Sequence, residues 1–595
     1  MNRRKLLKMA LSSGAALATT SVWAKGGNGG TSGKGGNGGN GADDAGGGGG
    51  RGGNGGGRGG RGGNGGACIA GQNGVPDGSI ASPKTTPFKA PMPRMQEPSW
   101  APDQSGFTGA PCSDVTGISK DDAIQRSSHQ YYSQFLPKRY YEIWEKEIKF
   151  DFTGGTGELP LSPAWGFNGQ VPGPLIKSQY GTPALVRMHN ALPPVSDLGF
   201  GIPSTTTHLH NAHTASESDG FPGDFINPGQ FHDHHYINAC PGFSVDGVGD
   251  KREALNTLWY HDHRVDFTAQ NTYAGLIGMH LLFDDQDTGD ETTGLRLPSG
   301  DYDVPIIFFD KRFDVHTGLL AFDLNNLDGM LGDKWCANGV IQPYFEVEAR
   351  KYRFRLLGVG PSRWWEFHLS DDSFMFQIGE DGNLLPQPIA RQGIRQGVAE
   401  RTDVIIDFSK YKPGTKLYLQ NRLEQHNGRG PTGNVFCQGD NLIEFRVIPA
   451  QGKDNSVIPV KMRDLPPVNI SEVVQRRTFN FGRSNGGWTV NGRFFDLNRI
   501  DAHVKRNTAE LWTLTNGGGW SHPVHIHFEE FRILSRNGAA PPANEIGRKD
   551  VIKLNPSESV TFFMRFRDWS GRYPMHCHNT VHEDHAMMVR WELEA

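Results

Sequence analysis

The densest chemistry in the sequence lies near its end, where His576-Cys577-His578 is followed by His582 and Met587. In a β-strand, successive side chains point to opposite faces, so the two imidazoles face one way and the thiolate the other. Cys577 therefore serves a different metal from the one its neighbours hold. A thiolate, two imidazoles and a distant thioether form the trigonal blue-copper site with a weak axial Met. Cys577, His582 and Met587 supply three of these donors. His522, set off by Pro523 from His525 and His527, is the natural fourth.

Three more segments aim imidazoles in pairs: His208-Leu209-His210, His261-Asp262-His263 and His525-Ile526-His527. Imidazole suits copper, zinc, iron and nickel alike, so these pairs alone do not name the metal. The Cys577 segment does. It also carries a functional consequence, because a metal that collects one electron at Cys577 is bonded through the backbone to His576 and His578 at the other cluster. A simple electron carrier needs no histidines flanking its cysteine. His213, His232, His234 and His235 make similar local patterns without a Cys or Met companion and are read as bystanders.

The elements that must position these groups are strands. Tyr141–Phe152, Leu185–His189, Tyr352–Leu357, Leu511–Leu514, Val560–Phe566 and Met588–Leu593 are short, rich in β-branched or aromatic residues, and bounded by turn formers. An Asn-Gly pair at 168–169, 338–339 and 491–492 is followed each time, about twenty residues on, by such a strand. Three copies predict an all-β protein of three related sandwiches, near 90–295, 300–450 and 460–595.

Before the first sandwich the composition changes. The chain has 595 residues, 79 of them Gly, and residues 26–66 are almost wholly Gly and Asn with scattered basic residues. Such a tract buries nothing and reads as a disordered linker, assigned here to 25–88. Residues 1–24 open with Arg3-Arg4-Lys5 and close at Ser21-Val22-Trp23-Ala24, the layout of a secretory signal whose paired arginines suit twin-arginine export. No segment is long and apolar enough to span a bilayer. A net charge of −4 argues against nucleic acid as a partner. With Cys577 a ligand, five cysteines remain, so at least one is unpaired or pairs with another chain.

From about residue 90 onward the histidine segments, in this order, resemble the four copper motifs of the multicopper oxidases. The likeness is strongest to bacterial three-domain laccases of the spore-coat and bilirubin-oxidase type, through stretches such as Trp259-Tyr260-His261-Asp262-His263 and His582-Glu583-Asp584. It implies three cupredoxin-like Greek-key sandwich domains, at 89–297, 298–455 and 456–595. It also implies four coppers: type 1 on His522, Cys577, His582 and Met587, type 2 on His208 and His525, and a type 3 pair on His210, His261, His263, His527, His576 and His578. Glu583 and Asp219 resemble the family's proton-relay acids, and Cys336 and Cys437 lie near the positions of a family disulfide. Asn211 stands where many relatives have Gly, which leaves the ligands intact, and the Gly/Asn tract has no counterpart.

The resemblance implies one-electron oxidation of phenolic or aromatic reductants coupled to four-electron reduction of O2 to water. The expected donor contact is an exposed edge of His522. The expected partners are O2, a small-molecule reductant and the twin-arginine machinery, with the mature monomer periplasmic or extracellular. Rival readings are a metallo-oxidase of Mn(II), Fe(II) or Cu(I), a bilirubin oxidase-type activity, a cupredoxin-like carrier and a copper nitrite reductase. The 13 Met are scattered rather than gathered into a thioether trap, which disfavours Cu(I) as substrate.

Overall fold

The three Asn-Gly pairs turn the chain in the same way. Asn168, Gly169, Asn338, Gly339, Asn491 and Gly492 all hold φ between 47° and 87°. Asn and Gly reach this left-handed region more cheaply than other residues, and a two-residue type I′ hairpin turn requires it at both central positions. Each Asn side chain then accepts a backbone N–H from the unit's first strand, from Trp144 at 2.8 Å, Ile307 at 2.9 Å and Asn480 at 2.8 Å. The repeat legible in the sequence is thus one hairpin used three times.

The same pairing surrounds each turn in this computed structural model, which describes residues 68–103, 105 and 129–595. The first strands, Arg139–Phe150, Asp303–Lys311 and Val473–Ser484, pair antiparallel with the strand entering the turn. On their other edge they pair parallel with Ala184–Asn190, Lys351–Gly358 and Thr508–Asn516. The strands collect into three successive pairs of sheets, of four and four, seven and five, and six and five strands. The all-β expectation holds, and all six strand runs named from the sequence fall on strands, the first of them ending at Phe150 rather than Phe152.

Large apolar side chains fill the space between paired sheets, with Trp165, Trp365, Trp512 and Trp591 each fully buried. The first cluster is continuous across the first and second units, joining Trp259 and Tyr273 to Phe309 and Val359. Buried ion pairs lock the second unit to its neighbours. Arg353 contacts Asp287 and Asp403 at 2.6 and 2.5 Å, and Arg401 meets Asp550 at 2.7 Å. Removing one partner of such a pair strands a buried charge at a cost of about 3–5 kcal/mol.

Two expectations are corrected. Residues 68–88 are not linker; they lie against the second unit. Ile69 bridges Phe436, Asn73 donates to Asp440 at 2.9 Å, Ser82 donates its N–H to Asp333 at 2.8 Å, and Phe88 donates its N–H to Gln342. The Gly/Asn composition ends at residue 66, and the residues beyond it have side chains to bury. The second correction concerns Cys437, which is bonded to Cys68 and not to Cys336. Cys336 points into the core at 1% exposure, whereas Cys437 is exposed on the facing sheet. The signal-like segment, the Gly/Asn tract and Cys112 lie outside the described residues.

Candidate metal centres

Eight imidazoles, those of His208, His210, His261, His263, His525, His527, His576 and His578, converge on one interior pocket, each no more than 1% exposed. Strand geometry puts them there. His208 and His210 share a face of Thr207–His210, and His208 lies directly opposite His261 in the neighbouring strand. His522–Ile526 pairs with Gly571–Cys577 so that His525 faces His576 and Val524 faces Cys577. The period of two then sends His525, His527, His576 and His578 to one side and His522 with Cys577 to the other. That parity, rather than Pro523, is why His522 leaves the group.

The pocket resolves into subsets. The Nε2 atoms of His263, His527 and His576 stand 3.1 Å from one another, a triangle that fits one ion with bonds of about 2.0 Å to each. His210, His261 and His578 form a second trio, and the Nε2 atoms of His208 and His525 approach to 3.4 Å. Behind the pairing plane, Cys577 Sγ lies 3.5 Å from His522 Nδ1 and 3.6 Å from His582 Nδ1. Met587 is fully buried in the same core cluster, and its carbonyl accepts the Cys577 N–H.

Most of these rings spend one nitrogen on an anchor and turn the other inward. His208 Nδ1 donates to the Asp219 carbonyl, His525 Nδ1 to the Asp550 carbonyl at 2.9 Å, and His527 Nδ1 to Asp219 Oδ2 at 2.8 Å. His210 Nε2 meets Asp550 Oδ1 at 3.1 Å, which leaves its Nδ1 free for a metal. His582 Nε2 donates to the Asp328 carbonyl at 3.1 Å. Glu583 sits 3.0 Å from His576 Nδ1 and 3.3 Å from His263 Nδ1. Partners of this kind fix ring orientation and tautomer in metal sites.

The donor set fits metal ions. Burial holds His261, His263 and His522 far below the usual imidazole value, at about 3, so they are neutral ligands at ordinary pH. Burial also drives the Cys577 thiol well above its usual value, so a thiolate there needs a cation beside it. His210 Nδ1, His261 Nε2 and both nitrogens of His578 are buried without a hydrogen-bond partner, an expense that metal ligation removes.

Eleven of the twelve ligand candidates therefore gather in the two clusters, Met587 lies buried in the same core as Cys577, and Asp219 and Glu583 touch ligand rings. His213, His232, His234 and His235 fall outside every metal-competent group among the described residues. One expectation fails: His522 is 1% exposed, so no ligand edge meets solvent. Asp550 was missed. It orients His210 and His525 while paired to Arg401, and nothing in its local sequence distinguishes it from any other acid before a strand.

Strands that carry eight imidazoles, on them or one residue past their ends, around one space, joined through a single cysteine to a thiolate cluster, define a copper-dependent oxidoreductase that handles electrons at two connected centres. Comparison with known proteins agrees. Multicopper oxidase sequence profiles match residues 156–287 and 466–594. The chain is 34% identical over 472 residues to the bilirubin oxidase of Albifimbria verrucaria, covering 76% of this chain and 77% of that one. It is 31% identical over 513 residues to the laccase of Bacillus subtilis, covering 76% and 94%. Among solved structures it resembles a laccase from Pediococcus acidilactici, with a TM-score of 0.68, 25% identity and coverage of 87% and 97%. The chain belongs to the multicopper oxidase family, and its relatives make it a laccase-like member.

Proposed function

We propose that this protein is a laccase-type oxidase holding four coppers, which takes single electrons from phenolic and related aromatic reductants and delivers them to O2. Cys577, His522, His582 and Met587 hold type 1 copper, His208 and His525 hold type 2, and the two imidazole trios hold the type 3 pair. The observation that carries the reading is the parity of His576-Cys577-His578, one strand serving both centres. When bound, copper supplies the one-electron chemistry and the oxygen-reducing cluster.

The chain's own residues do the rest. The backbone of Cys577 links the two centres by covalent bonds alone. Burial of the eight-imidazole pocket excludes bulk water, so protons must arrive through specific groups. Glu583, within 3.3 Å of His263 and His576, and Asp219, bonded to His527, are the carboxylates placed to hold and pass them. Replacing Cys577 with Ser tests the assignment. The variant should lose its blue charge-transfer colour and its phenol oxidation while keeping the other coppers by metal analysis; a blue Cys577→Ser protein would sink the type 1 assignment.

The Arg3-Arg4 start supports export of the folded protein by the twin-arginine route to the periplasm or exterior. Changing both arginines to lysine should retain the protein inside the cell, and undiminished export of that variant would rule the route out.

A further inference from the structure

Both imidazoles of the thiolate cluster are sealed, His522 at 1% and His582 at 0% exposure, so a reductant must deliver its electron through something else. Two indoles lie in the way. Trp488, 1% exposed, stacks on His582 with ring centroids 3.8 Å apart and meets His522 at 5.6 Å. Trp520, half-buried, meets Trp488 edge-on at 5.3 Å.

The outer ring is flanked by positive charge. The exposed Arg429 guanidinium lies 4.8 Å from the Trp520 centroid, and that of Arg483 lies 5.8 Å from Trp520 and 5.0 Å from Trp488. Asp328 faces Arg483 at 3.0 Å, whereas among the described residues no carboxylate is paired with Arg429. A half-buried indole face beside an unneutralised guanidinium matches an aromatic ring bearing an anionic group.

We propose that Trp520, Arg429 and Arg483 form the reductant-docking site, that it favours anionic aromatic donors, and that Trp488 conducts their electron to His582 and His522. The proposal rests on the type 1 copper reading above. In the step, the docked donor would lose one electron, which a Cu(II) ion held by Cys577, His522 and His582 would accept to become Cu(I). A phenolic donor also releases its hydroxyl proton to water, and both indoles end unchanged. Arg429, the uncompensated charge, carries most of the selectivity.

The copper-loaded enzyme is assayed with an azino-bis-benzothiazoline sulfonate, neutral dimethoxyphenol and cationic dimethyl-phenylenediamine. In Arg429→Gln the kcat/KM ratio of sulfonate to dimethoxyphenol should fall about three- to fivefold, the size of one exposed charge contact. Arg429→Glu should lower it further and raise the ratio for the cationic donor. Added salt should weaken sulfonate oxidation by the unmodified enzyme and affect Arg429→Glu much less. Redox-inert naphthalene sulfonate should compete with the sulfonate donor, and compete less well in Arg429→Gln. For Trp520→Ala, anaerobic bleaching of the blue colour by either anionic or neutral donor should slow while the blue spectrum stays. Equal change of all three donors in the Arg429 variants, or unaltered bleaching in Trp520→Ala, overturns the proposal. An unmodified, copper-loaded enzyme without blue colour would instead remove the type 1 reading beneath it.

Discussion

At the scale of single residues, the anchors behind the ligand rings matter as much as the ligands. Glu583 bridges two rings of one trio, so its carboxylate both orients them and stands ready to hand on a proton. In Glu583→Gln the amide keeps the shape and loses the proton chemistry. Reoxidation of the fully reduced enzyme by O2 should slow about a hundredfold or more, the usual penalty for losing a positioned proton-transfer group. Anaerobic reduction of the blue copper by dimethoxyphenol should change far less. Equal slowing of both half-reactions would place the role of Glu583 in copper geometry instead. Asp550 illustrates the opposite legibility: its importance follows from touching His210, His525 and Arg401 at once, contacts between residues up to 340 positions apart.

Among the elements, the segment from Cys68 to Phe88 has the least obvious sequence and a clear structural task. It braces the loop around residues 424–430, where Gln425 donates its N–H to Asn73 Oδ1 at 2.9 Å and Asp77 donates its N–H to the His426 carbonyl. That loop continues to Arg429, whose carbonyl accepts the Ser521 N–H beside His522. A chain starting at residue 67 should match the full protein in thermal midpoint and in turnover per copper. A chain starting at residue 89 loses the Cys68–Cys437 bond, a change on the order of 2–4 kcal/mol, and should melt roughly 5 °C lower or more. Scanning calorimetry of the two truncations decides it, and equal midpoints would mean the strap adds nothing to stability.

At the scale of the whole molecule, burial disfavours the charged form of several interior histidines, and that sets a direction for its acid sensitivity. His280, outside the metal pocket, is fully buried and bonded to Ser178 Oγ at 2.9 Å; burial lowers its pKa from 6.5 to about 3. Between those values the unfolded chain takes up a proton that the folded chain refuses. Stability from this group is therefore complete above pH 6.5 and is lost as pH falls toward 3. In His280→Gln, which can keep the hydrogen bond, the denaturant midpoint of the copper-loaded protein should fall less steeply between pH 7 and pH 5. Parallel slopes for the two proteins would show that His280 titrates normally in the folded state.

The sequence by itself determined the metal chemistry and the repeated fold, because both are local. A strand alternates its side chains every residue, so His576-Cys577-His578 states that one segment serves two centres, and three Asn-Gly pairs state that one hairpin recurs three times. What only the tertiary structure decided depends on distant residues meeting. The partner of Cys437 is Cys68, 369 positions away, because Cys336 faces the core while Cys437 faces out. His522 lies against Trp488, and loops from the second unit reach its neighbours, the Asp328 carbonyl meeting His582 and the Arg429 carbonyl accepting the Ser521 N–H. Spacing along a chain reports which face a side chain takes; it does not report what another part of the chain lays on top.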